Sequence, residues 1–183
     1  MINISQNLMN LYLILKKHVK YVIISGYVAI LFGRNRSSEV VDIFISKINQ
    51  KVFNNLCKDL SIDFECINTL DVKDAFQGYL SDGLALRFAK KNTFIPNVEL
   101  KFPKNELDLW TLSESKKVII NKKTLLISPL ELEIPYKLFL GSEKDIEDAM
   151  HLYALFKEFI DVKILEEFNQ KLKTEDLFNK YLK

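Results

Sequence analysis

The chain has 183 residues, 48% of them hydrophobic, enough for one compact domain with at most a small appended part. A chain of this length buries roughly 70% of its unfolded surface, so it needs no disulfide or metal staple. A net charge of +2 argues against a protein held to nucleic acid or membrane by bulk charge, although lysines pair up at Lys16 and Lys17, Lys90 and Lys91, Lys116 and Lys117, and Lys122 and Lys123.

Two further exclusions follow from particular residues. Cys57 and Cys66 have neither CxxC spacing nor a histidine at zinc spacing, which fits packing thiols in a reducing compartment. The most apolar stretch, Tyr21 to Phe32, lies between Lys20 and Arg34 and is too short for the roughly 20 residues of a bilayer span. No cationic, apolar and small-residue leader pattern opens the chain. A soluble cytoplasmic protein with no membrane attachment is expected.

In chain order, Leu8, Leu11, Tyr12 and Leu15 recur at helical spacing over 6–18, with Ser5 as a candidate N-cap. YVIIS reads as a buried strand closed by Gly26, and YVAILF as two helical turns stopped by Gly33. The polar loop GRNRSSE leads into a second strand, VVDIFI. Ile48, Val52, Phe53, Leu56 and Leu60 then mark a helix ending near Ser61. A strand over 62–67, a short helix over 71–80 and a strand in LALRFAK come next. Pro96 and Pro103 bracket a strand with Glu99 and Lys101 on one face and Val98, Leu100 and Phe102 on the other. KVIINKKTLLI predicts a hairpin turning at Asn121 and Lys122.

From Ser128 the period is helical. SPLE predicts a capping box, with Ser128 as N-cap, Pro129 at the first helical position and Glu131 as the reciprocal partner. Pro135 should kink or restart that helix before Gly141 ends it. Ser142 to Asp145 forms another cap, and helices over the following stretch, 162–172 and 174–182 complete the chain.

One residue breaks the pattern. Asp42 stands inside an apolar strand, where an ionised carboxylate is costly unless paired or bound to a metal. One reading is a solvated strand end, or a pair with Arg34 or Arg36; the other is a functional carboxylate.

The stretches ISGYVAILFGRNRSSEVVDIFI and SPLELEIPYKLFLGSEKDIEDAMHL bear on that choice. Strand, Gly, short helix, basic Ser-containing loop and an acidic strand resemble the opening of the polymerase-beta-like nucleotidyltransferase fold. The two stretches together resemble most closely the minimal nucleotidyltransferases that serve as toxins in AbiE-type toxin–antitoxin systems. Those read approximately G-G, a short helix, G-x-x-R-x-T-x-D-I-D, and later S-P-E-x-L-x-x-x-K and K-D-x-x-D. The resemblance implies an α+β fold, with a small mixed sheet flanked by helices over 1–127 and a helical part over 128–183.

It also implies a site. Aligning Arg36 with the family arginine places Ser38 at the threonine, Asp42 at the second aspartate and Val40 at the first. In the family the two aspartates share a strand face and hold Mg²⁺ on a nucleoside triphosphate, with a third carboxylate from a neighbouring strand, here Glu99. Asp42 and Glu99 are therefore the expected catalytic and metal residues. Ser25, Gly26, Arg34, Arg36, Ser38, Lys137 and Lys144 are expected to contact nucleotide or phosphate, and Asp145 and Asp148 to lie near the cleft. Two of the three arginines in the chain flank the motif, and the guanidinium fork suits phosphate.

Two departures stand out. Val40 cannot ligate, and Glu39 would point away from the site in a regular strand. Tyr27 replaces a second small residue, making the phosphate turn bulkier. Losing a primary ligand removes several kcal/mol of transition-state stabilisation, roughly 10²-fold or more in rate. The expectation is thus a degenerate relative that keeps a cleft for nucleotide, RNA or a protein partner. The competing expectation is an active enzyme moving a nucleotide from Mg-NTP to an RNA or protein acceptor. An antitoxin is the implied protein partner. Plain structural roles stay open for the same residues: Arg34 and Arg36 can pair with Glu39 or Asp42, Asp148 can pair with Lys144, and Lys137 can be a solvated lysine. His18 and His151 read as ordinary helix residues.

Overall fold

The structure is a computed structural model that describes residues 6–36, 38–120 and 122–183. The expected cap at Ser5 and the hairpin position Asn121 lie outside the described residues.

The helix expected first is α1 (Gln6–His18). Its Leu8, Leu11, Tyr12 and Leu15 are buried and pack against α3 (Gln50–Leu60), whose Phe53, Leu56 and Leu60 form the matching stripe. The Asn49 side chain caps α3 by accepting from the Val52 amide at 3.0 Å. Between them run β1 (Tyr21–Ile23), α2 (Gly26–Leu31) and β2 (Val40–Ile45).

Then follow β3 (Phe64–Cys66), a short α4 (Val72–Asp74) continuing as a π-helical turn over Ala75–Leu80, β4 (Leu86–Lys90) and β5 (Asn97–Lys101). A helix not expected from the sequence, α5 (Glu106–Ser113), precedes the hairpin β6 (Lys116–Ile120) and β7 (Lys123–Ile127). Its signal is a local cap. The Asn105 side chain accepts from the Asp108 amide at 2.9 Å, and Asp108 accepts from the Lys104 amide at 2.9 Å.

Among the described residues seven strands form one mixed sheet in the order β3-β4-β5-β2-β1-β7-β6. The β2–β5 and β1–β7 pairs are parallel and the others antiparallel. On β2, Val41, Ile43 and Ile45 are buried, whereas Val40, Asp42 and Phe44 share the half-buried opposite face. The strand is therefore not buried on both sides, which tempers the problem posed by Asp42.

The C-terminal part is helical as expected: α6 (Leu130–Leu140), α7 (Glu143–Phe156), α8 (Val162–Leu172) and α9 (Glu175–Tyr181). Two local expectations there are corrected. Pro129, not Ser128, stands at the N-cap of α6, with no side-chain cap bond. Ser128 instead extends the β7 pairing through its amide to the Ile23 carbonyl at 2.8 Å, and Glu131 accepts from the Asp161 amide at 3.3 Å. Pro135 neither restarts nor ends α6, which runs unbroken through it. Most of α6 is buried against α7 and α8, and that packing outweighs one missing backbone bond. Gly141 ends α6 with a left-handed φ of 70°.

Candidate functional site

The β2–β5 register sets Asp42 directly beside Glu99, and β4 adds Arg87 directly opposite Glu99. The two carboxylates assigned to one site are thus cross-strand neighbours on one sheet face. Lys101, two residues beyond Glu99 and so on the same face, closes the cluster. Its Nζ lies 2.5 Å from Asp42 Oδ1 and 2.8 Å from Glu99 Oε2. Arg87 Nε donates to Glu99 Oε1 at 2.7 Å. Burial acts to raise the Glu99 carboxyl, but the bonds from Lys101 and Arg87 outweigh it and hold Glu99 below the usual carboxylate range. Burial acts to lower the Lys101 ammonium, and Asp42 and Glu99 outweigh that too, leaving it above its ordinary value.

A cleft of about 280 Å³ opens over this cluster. Asp42, Phe44 and Lys101 supply the sheet side, α5 contributes Leu107, Asp108 and Thr111, and α6 contributes Leu132, Glu133, Tyr136, Lys137 and Leu140. Ser25 reaches the same cleft from the β1–α2 turn. Of the residues named from the sequence, Asp42, Ser25 and Lys137 line it. Sequence reading missed α5, Glu133 and Tyr136 as lining, and took Lys101 only as a face-mate of Glu99.

The turn is unusual at Ser25, whose φ of 64° and ψ of −149° fall in a region that side chains rarely occupy. Its amide donates to Glu133 Oε2 at 3.3 Å. Burial pushes the Glu133 carboxyl up to about 7, only partly offset by Lys137, the Ser128 hydroxyl and the Ser25 amide. Tyr27, the bulky departure in this turn, is buried in the core.

The motif arginines engage neither Glu39 nor Asp42. Arg36 forks onto Asp148, with Nε at 3.0 Å from Oδ1 and Nη2 at 2.7 Å from Oδ2. Arg34 pairs with Glu147 and stands 3.6 Å from Asp148. Lys137 is almost fully buried rather than solvated, 2.7 Å from Asp145 and 3.2 Å from Asp148. Asp148 has no exposed surface, and its partners are these cations, not Lys144, which is exposed. Asp145 combines the cap at Ser142 with the Lys137 contact. Burial acts against its ionisation, and the bonds from Lys137 and Ser142 prevail, so its carboxyl sits below the ordinary range. Ser38 donates to the Val40 carbonyl at 2.6 Å. His18 pairs with Asp59 at 2.9 Å and His151 Nε2 lies 3.0 Å from the Phe32 carbonyl, both in structural roles.

The Mg²⁺ implied by the resemblance can be tested against this donor set. Octahedral Mg²⁺ needs oxygen ligands at about 2.0–2.1 Å. Here Asp42 and Glu99 already share an ammonium, and Val40, in register with Asn97, offers an alkyl group at the third position. Among the described residues no group of three or more His, Cys, Asp and Glu side chains is placed to hold a metal ion. The residues as arranged do not fit Mg²⁺.

No protein-family model and no curated protein sequence matches the chain. Solved structures do. An antigenic nucleotidyltransferase-like protein from Paracoccidioides brasiliensis superposes with a TM-score of 0.57 at 18% identity, covering 96% of this chain and 91% of that one. The antibiotic-resistance factor ANT(2'')-Ia gives 0.57 at 9% identity, covering 94% and 92%. JHP933 from Helicobacter pylori gives 0.51 at 16% identity, covering 96% and 75%. The fold is nucleotidyltransferase-like. At these identities the likeness is one of fold alone, and fold does not by itself carry activity.

The nucleotidyltransferase-like core also presents a second concavity, of about 660 Å³, lined by Lys16, Lys17, Lys20 and Lys117 together with His18, Tyr21, Ser46 and Thr124. Among the described residues no carboxylate lines it, and Asp59 touches it only through its pair with His18. The Lys16 and Lys17 pair and Lys117, far apart in the sequence and each ordinary alone, meet there. The cations of the first site are by contrast all matched by acids.

Proposed function

We propose that this protein is a degenerate nucleotidyltransferase-fold module that binds nucleoside triphosphate or RNA and has weak or no transfer activity. The observation that supports this best is Val40. It stands two residues before Asp42 on the same face of β2, where the resembling family carries its first aspartate. With that acid missing, Asp42 and Glu99 are a pair, not the three-carboxylate cluster that metal-assisted phosphoryl transfer uses. Active transfer from Mg-NTP to an RNA or protein acceptor is the competing reading, and the link to a toxin–antitoxin system with an antitoxin partner rests on the sequence motifs alone.

Between RNA and a protein as the macromolecular partner, the lysine groove favours RNA. Point charges along a concave surface without acids suit a phosphate backbone. The Lys20 ammonium donates to the carbonyl of Ser113, the last residue of α5, at 3.1 Å, and α5 also walls the cleft. A strand held in the groove would therefore lie beside the element that borders the cleft.

The test pairs binding with chemistry. Thermal unfolding with each NTP should show stabilisation, since a ligand at 100 times its dissociation constant adds about 2.7 kcal/mol. Incubation of α-labelled NTP and a short RNA with Mg²⁺ should leave both RNA and protein unlabelled. Rapid Mg²⁺-dependent labelling would overturn the degenerate reading, and absence of any NTP or RNA binding would overturn the binding reading.

A further inference from the structure

We propose that Lys101 is a built-in cation that takes the place of the divalent ion between Asp42 and Glu99, so that the site neither needs nor accepts a metal. The inference deepens the function proposed above and rests on it only for what the cleft binds.

Residues two apart on β5 share a face, so Glu99 and Lys101 project together, and register places Asp42 beside Glu99 and Phe44 beside Lys101. The lysine side chain reaches back along the sheet and sets its ammonium 2.5 Å from one carboxylate and 2.8 Å from the other. Two acids side by side on a half-buried face repel unless a cation lies between them. A divalent ion is the usual answer on this fold, and a lysine supplies the same bridge covalently attached.

Charge balance points the same way. Asp42 and Glu99 contribute two negative charges, and Lys101 and Arg87 two positive ones. The cluster is neutral as it stands, and a metal ion entering it would meet an ammonium at contact distance. Val40 is consistent with this arrangement, because a third carboxylate would leave the cluster with an unmatched charge. Two of the three ammonium N–H groups are committed to Asp42 and Glu99. The third remains for a ligand, and Lys101 lines the cleft.

A purely structural ion pair makes different predictions, and four proteins separate the two: wild type, Lys101→Met, Val40→Asp, and the double variant Val40→Asp/Lys101→Met. Each is melted in EDTA, Mg²⁺ and Mn²⁺ at millimolar concentration. The wild-type midpoint should not move with metal, and neither should that of Val40→Asp, because Lys101 still fills the bridge. Lys101→Met should melt lower in EDTA, and the double variant should regain at least about half of its own loss when metal is added. A wild-type protein stabilised by Mg²⁺ as strongly as the double variant would overturn the proposal, as would a double variant indifferent to both metals.

Should the lysine variants fail to fold, wild type decides alone by Mn²⁺ electron paramagnetic resonance. A free-ion signal undiminished by stoichiometric protein supports the proposal, and its loss at micromolar Mn²⁺ overturns it. Calorimetry with ATP is run separately in EDTA. If wild type binds no ATP there or in Mg²⁺, the nucleotide reading fails, while the metal response still judges Lys101.

Discussion

Gly26 lies flat against the guanidinium of Arg36: a Cβ built on Gly26 would sit 2.0 Å from Arg36 Nη2. The glycine is required here by a side chain packed over it, not by its own dihedral angles. Arg36 in turn is fixed by its fork on the fully buried Asp148, so a small residue in the first motif and an acid in the last helices are one device.

Gly26→Ala should therefore displace the fork and destabilise the protein by about 1–3 kcal/mol, measured by urea denaturation. In an Arg36→Met background the same substitution should cost less than about 0.5 kcal/mol, because the obstacle is gone. Equal losses in the two backgrounds would show that Gly26 serves some other neighbour.

Lys137 is the second holder of Asp148. Buried with Asp145 and Asp148 as its partners, it leaves Asp145 without a cation when removed, while Asp148 keeps the fork from Arg36. Lys137→Met should cost about 3–5 kcal/mol, the usual penalty for breaking a buried pair. Adding Asp145→Asn should recover part of this, with a coupling of about 1 kcal/mol or more in the cycle. A strictly additive pair of losses would contradict the contact.

How much of this was legible in the sequence depends on the range of each interaction. The pairing of Asp42 with Glu99 was implied by the family resemblance, and alternation along a strand adds only that Glu99 and Lys101 share a face. That Lys101 would close over both acids could not be expected, since cross-strand register is not written in either strand alone. The resemblance put Lys137 and Asp148 at the cleft, but that Asp148 would take the fork of Arg36 could not be read, because the two are 112 positions apart. The helix α5 was overlooked because its apolar residues hold no single stripe, although Asn105 and Asp108 announced its start. Ser128 looked like a cap from its neighbours, and the sheet claimed it.

Glu133 predicts a pH dependence. Its folded carboxyl is pushed up to about 7 from an ordinary 4.5, so the native state holds a proton that the unfolded state has already released between those values. Stability should accordingly be highest below about pH 4.5 as far as this group is concerned, and fall as pH rises toward 7, by about 3 kcal/mol in all. Glu133→Gln removes the titration. The stability of the variant relative to wild type should improve by that order between pH 5 and 8, each measured by urea denaturation. A difference that does not change with pH would mean that Glu133 titrates normally.

The lysine groove yields a prediction about salt. If Lys16, Lys17 and Lys117 each contact a phosphate, binding of a fluorescent oligouridylate should weaken with salt. Each lysine removed should reduce the slope of log K against log salt by about 0.7, the value for single strands. Replacing all three by Gln should flatten the slope by about 2 while leaving the melting temperature near wild type, because these side chains are exposed and surface substitutions shift stability by less than about 0.5 kcal/mol. Lys90→Gln and Lys91→Gln, at the end of β4 and outside the groove, provide the control for charge alone and should leave the slope unchanged. An equal loss of slope in the control would assign the RNA affinity to net charge and remove the groove from the account.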